Sequence, residues 1–124
     1  MNEHNAWVEA CVLALLAVNN YSLTKAWELR ERLNQEGLLK PGQCEPSEIT
    51  DILKRVGYDR GEFLTDLVAD RVAHFLLTAD DEFLRSLIDA EAQGAGAVIA
   101  VLTSVKGIGP VVAKNARHLK GMHV

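Results

Sequence analysis

Residues 102–113 of the 124-residue chain read LTSVKGIGPVVA, which places two glycines in a very short link between two helical patterns. Gly107 can adopt a positive φ angle without steric cost, and Ile108 can fill the gap between the two helices. Pro110 has the φ angle that is favoured at the first position of a helix. We therefore predict a helical hairpin over about residues 97–120.

The predicted hairpin has the chemistry of an anion site. The free N–H groups of the link and of the following helix start should point outward together, and Gly109 lets the backbone approach a ligand closely. A phosphate group is the expected guest, and we predict that it is contacted by residues of the link and by nearby cations. The alternative is a tight turn that only packs two helices. The predicted phosphate contacts are Lys106, Gly107, Ile108, Gly109, Lys114 and Arg117.

Charge is distributed unevenly along the chain, because all 17 acidic residues lie at or before Glu91. Residues 1–91 hold 9 lysines and arginines against 17 acids, a net charge of −8. Residues 92–124 hold four lysines and arginines and no acid, a net charge of +4. This asymmetry indicates either an anionic partner for the carboxyl-terminal quarter or a chance excess on a solvated surface.

The remaining sequence predicts an all-α protein, because apolar residues recur at helical spacing and no segment alternates for long. We expect one domain over residues 1–124, a compact orthogonal bundle of about six to seven helices that ends in the hairpin. Five helices are predicted before the hairpin. The first helix ends near Asn19 and Asn20, the second runs from Ser22 to Gly37, and the third starts at Pro46. The fourth has Phe63 on its apolar face and Asp66, Asp70 and Arg71 on its solvated face. The fifth follows a capping box formed by Thr78 and Asp81.

Composition excludes several classes of protein. With 48% hydrophobic and 24% charged residues the chain is an ordinary globular protein. The apolar stretches 12–18 and 95–105 are shorter than the roughly 18 residues of a membrane span, and residues 1–10 lack a basic start, so we expect a cytoplasmic protein. Cys11 and Cys44 are expected to be reduced and structural, and no set of residues predicts a metal or another cofactor.

The hairpin resembles a helix-hairpin-helix motif, a sequence-nonspecific clamp for the DNA backbone. Its signature is an apolar residue, then Gly-apolar-Gly, then a small residue four positions on, here Ala113. Two further stretches, residues 15–19 (LLAVN) and 53–58 (LKRVGY), are similar in order and spacing to those of helix-hairpin-helix DNA glycosylases of the endonuclease III type. The resemblance covers about residues 7–120 and implies the helical-barrel domain of that superfamily in truncated form.

The departures from that family bear on catalysis. The family's lyase-type members place a lysine where this chain has Val111, and valine cannot form a Schiff base. The family's aspartate would fall beyond Val124, and no cysteine follows Cys44 to build the four-cysteine cluster of many members. We therefore assign no catalytic residue. The resemblance also places Asn19 where the family inserts a side chain into the DNA stack, with Tyr21 close enough to stack on a base.

Three functions stay open from the sequence. The first is a DNA-binding domain that contacts double-stranded DNA weakly and without sequence preference. The second is a glycosylase completed by a partner chain, and the third is a protein-interaction module that has lost DNA binding. Two local alternatives also remain, because Asn19 and Asn20 could simply end a helix, whereas His118 and His123 could add positive charge below neutral pH.

Overall fold

The computed structural model describes residues 3–40, 42 and 45–122, and within these ranges every regular element is a helix. The predicted all-α class is confirmed. The described part contains eight helices rather than six or seven, because one predicted helix is divided into two. They are α1 (Glu3–Leu16), α2 (Leu23–Glu28), α3 (Arg30–Gln35), α4 (Pro46–Arg55), α5 (Glu62–Thr78), α6 (Asp81–Gln93), α7 (Ala95–Thr103) and α8 (Pro110–Gly121).

Helix α1 lies at the centre of the core. It is apolar on nearly all sides, and residues 6–16 are buried throughout. Such a helix must be surrounded by others, and α1 packs most extensively against α8 and also against α2, α5 and α6. Cys11 is fully buried here, and burial raises the pKa of its thiol. It is therefore a structural residue, as predicted, whereas Cys44 lies outside the described residues.

The predicted second helix is interrupted at Leu29. Its start is as expected, because the Ser22 hydroxyl accepts a hydrogen bond of 3.1 Å from the Lys25 amide. The Leu29 amide then donates to the Ala26 carbonyl, three residues back, at 3.1 Å. A bond of this kind breaks the α-helical ladder, and α3 begins at the next residue. The prediction of one continuous helix to Gly37 was therefore wrong.

Two predictions around α5 and α6 are corrected. Phe63 was placed on the buried face of α5, but it lies in the first turn and is 83% exposed. The cap of α6 is Asp80, whose carboxylate accepts a hydrogen bond of 2.8 Å from the Phe83 amide. The Thr78 hydroxyl instead donates to the His74 carbonyl within α5. No helix in the described ranges is long and apolar enough to cross a membrane.

Candidate nucleic-acid interface

The predicted hairpin is present between α7 and α8. Gly107 has a φ angle of +96°, which side chains rarely tolerate, and Pro110 is the first residue of α8. Ile108 is 4% exposed, and its amide donates to the Val105 carbonyl at 3.1 Å. Ile108 thus fills the gap between the helices as predicted. Because its amide is already bonded within the turn, Ile108 shapes the hairpin and offers no free donor to a phosphate.

The start of α8 exposes unpaired backbone donors. Among the described residues, the amides of Gly107, Gly109, Val111 and Val112 have no acceptor, and the first bond into the helix comes from Ala113 to the Gly109 carbonyl. No side chain caps this helix, and its first turn has no acidic residue. Unpaired amides at the positive end of a helix dipole favour an anion.

Two basic residues belong to the hairpin turn or contact it. Lys106 is exposed in the turn itself. Arg71 reaches the turn from α5, since a β-carbon added at Gly107 would lie 3.3 Å from its Cγ. The sequence predicted a solvated face for Arg71, but its aliphatic part packs on the hairpin. A cleft of about 530 Å³ between α5 and the hairpin collects charges of both signs, from Glu45, Asp70, Arg71, His74 and Lys106.

The predicted cations of α8 lie on its outer face. Lys114 and Arg117 are exposed, whereas the inner face buries Ala113, Ala116 and Leu119. Lys120 differs from them, because its ammonium forms an ion pair of 3.0 Å with Glu91. In the part of the chain that the structure describes, no carboxylate pairs with Lys106, Lys114 or Arg117. Three of the four carboxyl-terminal cations thus keep their charge available.

The turn after α1 carries the residues predicted to enter the DNA stack. Asn19 and Asn20 are exposed and have positive φ angles of 52° and 71°. Asparagine tolerates this conformation better than most residues. The Arg60 guanidinium fixes the turn by donating to the carbonyl oxygens of Val18, at 2.9 Å, and of Asn19. Asn19 therefore lies at the exposed tip of a turn that is held by two hydrogen bonds from Arg60.

Tyr21 and Tyr58 form the base of this turn. Their rings meet edge to face with centroids 4.8 Å apart, and the Arg60 guanidinium lies 5.2 Å from the Tyr21 ring centre. The buried Tyr58 hydroxyl donates to the Leu16 carbonyl at 2.6 Å, and burial raises the pKa of this phenol, which keeps it protonated. Tyr21 thus has a packing role in the turn, and its stacking on a base stays a prediction. Arg60 was not predicted from the sequence, because no local pattern indicates that it reaches back to the turn after α1.

Helices α1 and α8 share an extensive contact. Trp7, near the start of α1, has the Lys120 ammonium of α8 5.4 Å from its ring centre. The end of α8 therefore packs beside the start of α1.

Comparisons with known proteins found no family model, curated protein or solved structure that matches this chain. The similarity to helix-hairpin-helix glycosylases consequently rests on the motif residues alone.

Proposed function

We propose that this chain is a DNA-binding domain that holds the phosphate backbone of duplex DNA at the hairpin between α7 and α8. The observation that carries the proposal is the exposed, acid-free start of α8, where the amides of Gly107, Gly109 and Val111 lack acceptors among the described residues. Lys106 and Arg71 line the same cleft as Gly107, which also contains Glu45 and Asp70. Water can satisfy the amides, but Lys106, which pairs with no carboxylate of the described residues, adds a preference for a negatively charged oxygen.

Such contacts predict weak binding without sequence preference. Phosphate contacts position a protein on a duplex but read no bases. Residues 1–91 carry a net charge of −8, which opposes the approach of DNA, and only a few cations near the hairpin can neutralise phosphates. The exposed Asn19 turn would supply one further contact, inside the base stack.

The chain is proposed to bind without catalysing a reaction by itself. Val111 is 72% exposed beside the free amides, so this position is open to a ligand. Its hydrocarbon side chain cannot attack a sugar or accept a proton. Val111 therefore supplies no nucleophile for a lyase step.

The direct test is fluorescence anisotropy of a labelled duplex at salt concentrations from about 50 to 200 mM. Each phosphate neutralised adds about −0.9 to the slope of log affinity against log salt, so we expect a slope of roughly −3. Lys106→Glu should weaken binding by about tenfold or more and flatten this slope. Lys54→Glu changes the net charge equally on the exposed side of α4 and is the matched control. Equal losses in the two variants would contradict a hairpin contact.

A duplex containing an abasic-site analogue tests the Asn19 turn separately. Tighter binding to this duplex than to the intact one, lost in Asn19→Ala, would support insertion of Asn19. Equal binding to both duplexes would leave Asn19 as a turn residue only. If neither duplex binds at low salt, DNA binding is excluded for this chain, and the protein-interaction function becomes the favoured one.

A further inference from the structure

A second cationic groove lies on the outer face of α8, away from the hairpin turn. Lys114, Arg117 and His118 occupy positions i, i+3 and i+4, so they lie on one face of the helix. They line a groove of about 310 Å³ whose other wall is the first half of α7. Gly96 lies in that wall, and nothing is found within 4 Å of the place a β-carbon would take. The groove is therefore open at Gly96.

Among the described residues, no acid lines this groove. It is lined by Ala95, Gly96 and Ile99 besides the three basic residues, and the first turn of α7 has no acid. Glu91 lies in an adjoining cavity that shares Arg117 and His118. Glu91 is already engaged, because it accepts from the Trp7 indole at 2.8 Å and from Lys120 at 3.0 Å. Lys114 and Arg117 thus form no ion pair with a carboxylate of the described residues.

We propose that this groove is a second phosphate-binding site. An arginine fork can bond two oxygens of a phosphate at once, while a neighbouring ammonium adds charge and an imidazole N–H adds a further donor. The small residues of α7 leave room for a group of this size, and Ile99 offers an apolar contact to whatever carries the phosphate. This site does not depend on DNA binding at the hairpin.

Two kinds of ligand carry a phosphate group that fits this groove. One is a further backbone phosphate of a duplex already held at the hairpin, because Arg117 lies only about 9 Å along α8 from Val111. The other is a free phosphate compound. The duplex measurements below distinguish these sources, whereas the site itself is tested with inorganic phosphate.

The experiment follows backbone amide resonances of the folded chain by NMR during titration with inorganic phosphate, against sodium chloride at equal ionic strength. We expect saturable shifts at Gly96 and at residues 114–118 with phosphate only. Arg117→Gln should weaken phosphate binding by about tenfold or more. Gly96→Leu should weaken it as well by filling the groove without changing a charge. Arg85→Gln, an exposed arginine of α6, is the matched control and should leave binding unchanged.

The proposal is overturned if phosphate and chloride give the same shifts, or if Arg117→Gln binds phosphate as the parent chain does. Lys106→Glu separates the two sites, because it should weaken duplex binding by about tenfold or more, whereas phosphate should still shift the Gly96 amide resonance. If Arg117→Gln also makes the slope of log duplex affinity against log salt less negative by about 0.9, the groove holds a DNA phosphate. An unchanged slope together with saturable phosphate binding supports a free phosphate compound as the occupant.

Discussion

Helices α6 and α8 differ in what satisfies the unpaired N–H groups of their first turns. At α6 the Asp80 carboxylate accepts from the Phe83 amide, and Asp81 and Glu82 add negative charge at the positive end of the dipole. At α8 the corresponding place holds Gly109 and Pro110, with no side-chain cap and no acid. One helix start is completed by its own residues. At the other, no side chain of the described residues caps the helix, and we propose that an external anion does so.

The largest expected effect comes from giving α8 the kind of cap that α6 has. In Gly109→Asp the new carboxylate would occupy the place of the phosphate, so duplex affinity should fall by about 10- to 100-fold, the value of a charged hydrogen bond of about 1.5–3 kcal/mol. The free energy of unfolding should instead rise by about 0.3–1 kcal/mol, because the acid complements the dipole. Space is available, since nothing lies within 4 Å of an added β-carbon.

Gly109→Asn is the control for this substitution, because it has the same shape without the charge. It should keep more of the duplex affinity than Gly109→Asp. Anisotropy measures affinity, and urea unfolding measures stability. If Gly109→Asp lowers both stability and duplex affinity, the acid only damages the turn. That result would contradict the proposed difference between the starts of α6 and α8.

The next effect concerns the turn that presents the α8 start. Gly107→Ala forces a side chain into a φ angle of +96° and against the Arg71 side chain, so the free energy of unfolding should fall by about 1–2 kcal/mol. Urea denaturation measures this change through the midpoint at constant m value. Gly107→Asn should lower the free energy of unfolding by less than Gly107→Ala, since asparagine tolerates positive φ angles better than alanine. Equal losses for Ala and Asn would instead point to the contact with Arg71 as the cause.

A smaller effect is expected at the start of α6. Asp80→Ala removes the hydrogen bond to the Phe83 amide and should lower the free energy of unfolding by about 1 kcal/mol. Duplex affinity should stay the same, because this helix start satisfies itself. Asp80→Ser retains an acceptor and should recover most of the stability. A change of duplex affinity in Asp80→Ala would show that the two helix starts are not independent.

The smallest effect tests which residue caps α6. The Thr78 hydroxyl bonds within α5, so Thr78→Ala should change the free energy of unfolding by less than about 0.5 kcal/mol. Thermal unfolding of Thr78→Ala beside Asp80→Ala makes the comparison directly. A larger loss of stability in Thr78→Ala than in Asp80→Ala would indicate that Thr78 caps α6, as the sequence pattern suggested.

The sequence predicted the features that are encoded locally. Gly107 and Pro110 mark the hairpin because each has a backbone requirement of its own, and Ser22 marks a helix start because its hydroxyl bonds three residues ahead. The break at Leu29 was missed because no glycine or proline accompanies it. Its amide differs from that of a helical leucine only in bonding to the carbonyl three residues back.

The site was predicted only in part, because some of its residues come from distant segments. Arg71 reaches Gly107 from α5, and Arg60 reaches the carbonyl of Asn19 across about 40 residues of chain. Helical periodicity assigns Arg71 to solvent, and no local pattern places Arg60, which precedes α5, so only tertiary packing shows what each side chain contacts. The prediction for Phe63 is wrong in the opposite direction, since its apolar character predicts burial but the residue is 83% exposed.

Because Cys11 is buried, the rate at which it is alkylated can measure how often the core opens. Only the thiolate reacts with alkylating reagents, and Cys11 is both inaccessible and held protonated by its surroundings. A reagent must therefore wait until α1 separates from its neighbours. In a chain with Cys44→Ser, the rate of alkylation would thus report how often the central helix is released, without any added probe.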